Sequence, residues 1–129
     1  MAPLSVTLVP TDPKIGRVTL VGEHDAYSAA RLEDELAVLR NSGLGVVVDL
    51  TEATFVDSQT LSVLLSARHD AEAARLGFVI ALPRDGYTQV HRILEMTGLQ
   101  TAFAVEPDVD AAVAAARAGR STAVQARVA

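Results

Sequence analysis

The chain of 129 residues has no cysteine, which excludes disulfides, cysteine-ligated zinc and a thiol nucleophile. No apolar run approaches the ~20 residues that span a bilayer. The opening MAPLSVTLVPTDPK does not set a basic segment before a long apolar one, as a secretory leader does. These absences lead to the expectation of a cytoplasmic protein. Positive charge is not in excess either: 11 Lys and Arg stand against 16 Asp and Glu, a formal net charge of -5. Nucleic acid and anionic membrane both need a basic face, so neither is an expected partner. Lysine occurs once, at Lys14, and alanine is abundant, a bias typical of a GC-rich bacterial genome. The glycine-rich phosphate loops G-x-x-x-x-G-K and G-x-G-x-x-G are missing.

What is present is apolar residue in quantity, 50% of the chain, enough for one buried core. Residues 4–9 and 14–22 alternate apolar and polar around the turn PTDP and predict two strands, paired antiparallel. From Ser28 the period becomes helical: Ala29, Leu32, Leu36 and Leu39 share a face, with Asp25 or Ser28 as cap and Asn41 to Gly43 as the end. GVVVDL at 45–50 is the continuous apolar run of a strand covered on both faces, so helices are expected on both sides.

A second helix carries Leu61, Leu64, Leu65 and Arg68 and stops at the glycine of RLG, before a strand at 78–82. Residues 86–97 form a third helix with Val90, Ile93, Leu94 and Thr97 on one stripe, closed by Gly98 with Leu99 folding back. A short strand at 102–105 and a helix over 109–118, capped by Asp108, complete the order β-β-α-β-α-β-α-β-α. The prediction is an α/β sandwich with a mostly parallel sheet, an N-terminal antiparallel strand pair and about four helices. It forms a single domain over 1–118, with 119–129 as a loose tail.

Several chemistries can be weighed against the residues. His24, His69 and His91 are far apart and show neither i, i+4 nor H-x-E spacing, so no metal site is expected and they read as solvated surface side chains. Ser58 stands at a strand-to-helix junction, but Val56 and Thr60 occupy the small-residue positions of a nucleophile elbow, which disfavours a hydrolase. Asp49 ends a buried strand as a receiver phosphoacceptor does, yet Val9 and Pro10 offer no acidic pair for magnesium. The stretch LPRDGYTQ (82–89) precedes a helix and reads as a turn.

The polar quartet Asp57, Ser58, Gln59 and Thr60 remains. Asp57 or Ser58 is the expected N-cap of the second helix, worth about 1 kcal/mol.

Three stretches in order resemble one family. GEHDAYSAARLEDEL, then VVVDLTEATFVDSQTLSVLLSARHDAEAARLGFVIALP, then VHRILEMTGLQTAFAV look like the STAS domain of bacterial anti-sigma factor antagonists. The likeness covers roughly residues 4–116. It implies a STAS-type fold and a binding module rather than an enzyme, with no cofactor. Such a module binds an anti-sigma factor that is also a serine kinase and so releases a sigma factor for transcription. Phosphorylation of the serine after the aspartate, here Ser58, makes the antagonist let go, and a PP2C-type phosphatase restores it.

The expected partner surface is Ser58 with Asp57, Gln59 and Thr60, joined by Glu23, His24 and Asp25 from the preceding strand end and by Ser62 one turn into the helix. Arg68 and Arg75 read as ordinary exposed helix charges. Two positions depart from the family pattern: Gln59 replaces its second Ser or Thr, and Thr60 its glycine, adding bulk expected either to restrict kinase access or to change which kinase fits, and a second hydroxyl open to phosphorylation. Hence two alternatives stay open: a STAS-type interaction scaffold that is not phosphorylated, and a nucleotide- or anion-sensing STAS domain. The chain is expected to be a monomer or weak homodimer.

Overall fold

The computed structural model describes residues 3–123. Five strands lie side by side in sequence order: β1 (Leu4–Val9), β2 (Ile15–His24), β3 (Gly45–Val56), β4 (Phe78–Ala81) and β5 (Ala104–Glu106). β1 runs antiparallel to β2, and every other neighbouring pair is parallel. The helices are α1 (Ala26–Asn41), α2 (Ser58–Ala73), α3 (Gln89–Thr97) and α4 (Val109–Arg117), with one 3-10 turn at Leu99–Thr101.

The period-2 alternation of side chains distributes this sheet between two cores. Val46, Val48 and Leu50 of β3 face one way and pack with Leu32, Leu36 and Leu39 of α1, Leu61 and Leu64 of α2, and Val90 and Leu94 of α3. Val47 faces the other way, where Ile15, Val79 and Ala81 meet Ala112, Ala115 and Ala116 of α4. Three helices therefore cover one face and α4 the other, which is why β3 and β4 carry no polar alternation. Phe78 and Phe103 are fully buried, each worth about 1.5–3 kcal/mol.

Asp49, at the α4 side of β3, is buried and fully engaged. It accepts from the Thr51 amide at 2.9 Å and the Thr51 hydroxyl at 2.6 Å, and pairs with Arg17 at 2.7 Å. Burial acts to raise its pKa, but the two Thr51 bonds and Arg17 outweigh that and hold the carboxyl below its ordinary value. Its role is to satisfy the sheet interior.

Several boundaries differ from the sequence reading. β3 continues to Val56, six residues past the apolar run, because β2 extends alongside it with two register shifts near Gly22. α1 starts at Ala26 with Asp25 as its cap, α3 starts only at Gln89, and β5 spans Ala104–Glu106. α2 stops at Ala73, and the left-handed residue after it is Arg75 (φ 60°) rather than Gly77. Gly77 has a different duty: a Cβ there would run into the backbone of Ala116. Arg68 is less free than expected, being partly buried and paired with Glu72 at 3.2 Å, whereas Arg75 is exposed.

The predicted loose tail is in part fixed. Phe78 N–H donates to the carbonyl of Arg120 at 2.8 Å, Ser121 is buried, and Thr122 forms a bridge with Phe103. Arg120 and Thr122 thus pair with backbone at the start of β4 and just before β5, and 124–129 lie outside the described residues. Among the described residues no helix is long and apolar enough to cross a membrane, and no group of three or more His, Asp or Glu gathers as metal ligands.

Candidate partner-binding site

The parallel strands β2 and β3 end in register, His24 opposite Val56, and each turns at once into a helix. The N-termini of α1 and α2 therefore emerge from adjacent strand ends, and each is opened by an aspartate. Asp25 accepts from the Tyr27 amide at 2.9 Å, and Asp57 accepts from the Thr60 amide at 2.8 Å. These caps satisfy amides that a helix cannot satisfy internally.

Ser58 is the first residue of α2, and its side chain is exposed. Its hydroxyl makes no hydrogen bond among the described residues. Glu23, Asp25, Gln59 and Ser62 are exposed too, and Asp57 is half-buried behind Ser58. Six of the eight anticipated surface residues are thus accessible.

His24 and Thr60 are not. The His24 ring is buried, with Nδ1 3.0 Å from the Ser28 hydroxyl and Nε2 3.1 Å from the Val21 carbonyl. It is a packed element of the β2–α1 turn, so the reading of a solvated histidine is corrected. Thr60 is also fully buried, its hydroxyl donating to the His24 carbonyl at 3.3 Å. Its extra bulk points into the protein and adds nothing to the surface around Ser58. His91 is half-buried: Nε2 donates to the Pro83 carbonyl at 2.7 Å, and Nδ1 accepts from the Thr88 amide at 3.1 Å, forming the capping box of α3. His69 is exposed, as anticipated.

Three features escaped sequence reasoning. Tyr27, at the second position of α1, is 96% exposed, and Phe55, next to the last residue of β3, is also exposed. An unsheltered tyrosine inside an otherwise charged helix face was the available signal. The second feature is a groove of about 210 Å³ between α2 and α3, which runs from Ser58 past Leu61 and Leu65 to Ile93, Thr97 and Leu99. The third is Gln89, whose carboxamide accepts from Val56 N–H at 2.9 Å and donates to the Val56 carbonyl at 3.0 Å. Tyr87, just before α3, stacks on His91 and donates to Glu95 at 2.7 Å, a bond that raises the phenol's pKa.

The family described as Mlab, STAS domain, matches residues 8–107. The chain belongs to the STAS domain family. Its solved neighbours share the SpoIIAA-like fold. The anti-sigma factor antagonist of Mycobacterium paratuberculosis matches with a TM-score of 0.72 at 24% identity, over 90% of this chain and 97% of its own. A putative anti-sigma factor antagonist from Thermotoga maritima gives 0.67 at 19%, over 88% and 94%. The Bacillus cell fate determinant SpoIIAA in its phosphorylated form gives 0.59 at 16%, over 83% and 96%. In this STAS domain the α2 N-terminus, with Asp57 and Ser58, is therefore carried on a fold shared with these three proteins.

Proposed function

We propose that this STAS domain is an anti-sigma factor antagonist that binds an anti-sigma factor with serine kinase activity, frees a sigma factor, and is switched off by phosphorylation of Ser58. The observation that carries the reading is the placement of Ser58: exposed, free of internal bonds, and first in a helix whose cap is supplied by Asp57 rather than by Ser58 itself. Modification of its hydroxyl removes no bond that holds the fold.

A phosphate there adds a charge of about -1.5 to -2 at pH 7. The helix dipole and the unpaired first amides of α2 favour it, so the folded state tolerates the group. A docked partner does not. Asp57 beside it, and Glu23 and Asp25 at the adjoining end of β2, make this end of the sheet acidic, and a dianion pressed into a contact there brings repulsion and desolvation. A penalty of about 3 kcal/mol weakens binding on the order of a hundredfold. Thr60, buried, leaves the approach to Ser58 open, which favours the phosphorylated switch over a silent scaffold. A PP2C-type phosphatase acting on the same exposed position would complete the cycle.

The test is a kinase assay of wild type against Ser58→Ala with the host's anti-sigma kinases, with mass spectrometry locating the phosphate and calorimetry measuring affinity for Ser58→Asp. Phosphate on Ser58 alone and a hundredfold weaker Ser58→Asp complex are expected. A kinase that binds the protein but leaves Ser58 unmodified, with Ser58→Asp at full affinity, makes it an unphosphorylated scaffold.

A further inference from the structure

β4 pairs with β3 only from Val46 to Asp49, so beyond that point the β4 edge of β3 has no neighbouring strand. At Val56, the last residue before Asp57 and Ser58, that missing neighbour is replaced by one side chain. The Gln89 carboxamide meets both polar atoms of Val56, at 2.9 and 3.0 Å, in the way a strand residue would, across 33 residues of sequence. On the opposite edge the Asp57 amide donates to the His24 carbonyl at 3.1 Å. The turn that delivers Ser58 is thus held by hydrogen bonds from both sides, by β2 through its backbone and by α3 through the Gln89 side chain.

Gln89 is also the first residue of α3, whose start is fixed in turn by the Thr88–His91 capping box. The same helix forms one wall of the groove that begins at Ser58. A displacement of α3 has a direct route to the turn.

We propose that Gln89 is a positioning residue for Ser58: by pairing with both backbone atoms of Val56, it fixes the direction in which β3 presents the Asp57–Ser58 turn and ties that direction to α3. Its consequence for phosphorylation rests on the reading of Ser58 as phosphoacceptor; its structural content does not. With Gln89 in place the hydroxyl meets a kinase in one orientation. Without it, β3 frays at its end and the hydroxyl samples several.

The experiment uses the full chain, isotopically labelled, as wild type, Gln89→Met and Gln89→Glu. Methionine keeps the length and loses both bonds; glutamate keeps the acceptor for Val56 N–H and loses the donor. In Gln89→Met the Val56 amide is expected to exchange with solvent about tenfold faster or more, with shifted Asp57–Gln59 resonances, while Val48 and Ile80 in the sheet interior keep wild-type rates. Gln89→Glu should recover part of the Val56 protection. Unchanged Val56 exchange, or an equal acceleration at Val48 and Ile80, overturns the proposal. With a kinase that modifies wild-type Ser58, Gln89→Met should lower kcat about fivefold or more with KM nearly unchanged; an unaltered kcat overturns the positioning role. If no kinase modifies wild-type Ser58, the reading of the function fails, and the exchange and resonance shifts still decide the latch.

Discussion

The backbone carbonyl of His24 accepts the hydroxyl of Thr60 at 3.3 Å, across 36 residues of sequence. The same carbonyl accepts the Asp57 amide at 3.1 Å. The end of β2 is thereby stitched to the first turn of α2, and the Thr60 side chain is turned inward as part of the stitch.

Replacing Thr60 with valine keeps the shape and removes the hydroxyl. The expected cost is about 1 kcal/mol, the usual worth of one hydrogen bond, read as a lower urea midpoint with an unchanged slope. Phosphate mapping after a kinase reaction should never place a phosphate on Thr60 in folded protein.

Asp49 gives a dependence on acid. Its folded pKa lies below the ordinary 3.8, so its contribution is complete above that value and disappears as the pH falls through the folded one. Urea unfolding from about pH 5 down to about pH 2.5 should show stability falling with acid. Asp49→Asn should flatten that fall and, at neutral pH, cost about 1–3 kcal/mol through the weakened bonds to Thr51 and Arg17.

Gly77→Ala tests the seat of α4. A methyl group at this position meets the carbonyl and Cα of Ala116, which are backbone atoms and cannot swing aside. A loss of about 1–3 kcal/mol is expected from the forced shift of α4. Gly77→Ala with the wild-type melting temperature would show that α4 moves freely on the sheet.

Tyr27 separates binding from folding. At 96% exposure it supports nothing in the core, so Tyr27→Ala should change stability by less than about 0.5 kcal/mol. It stands at the helix start adjoining that of Ser58, and tyrosine is among the residues enriched at binding hot spots. Affinity for the proposed anti-sigma partner should fall about tenfold or more, measured by calorimetry.

The order and type of the elements were legible because each announces its own period. Leu32, Leu36 and Leu39 spell a helix, and GVVVDL spells a doubly covered strand. Asp57, Asp108 and Gly98 were legible as caps because capping is local chemistry. The candidate site was readable only where it is local: Ser58, Glu23 and Asp25 are exposed, and Asp57 is half-buried. Burial at His24 and Thr60 was not, since it arises where two strand ends meet, and a polar side chain gives no sign in sequence of which carbonyl it will find. The reach of Gln89 to Val56 belongs to the same class: one glutamine in a loop-helix boundary carries no period and no motif. Likewise, nothing in GRSTA marks residues 119–123 as the partners of Phe78 and Phe103.

The alanines on α4 have a consequence for how this protein can change over time. Ala112, Ala115 and Ala116 let that helix lie so near the sheet that Gly77 has no room for a side chain. Almost any enlargement there is penalised, so that side is frozen. The opposite side, where α2 and α3 leave a groove beside Ser58 and Tyr27 stands clear of the core, accepts new side chains without disturbing the sheet. A single domain of this construction can exchange one partner for another by altering a rim of a few residues, while its closely packed back keeps Ser58 in the same place.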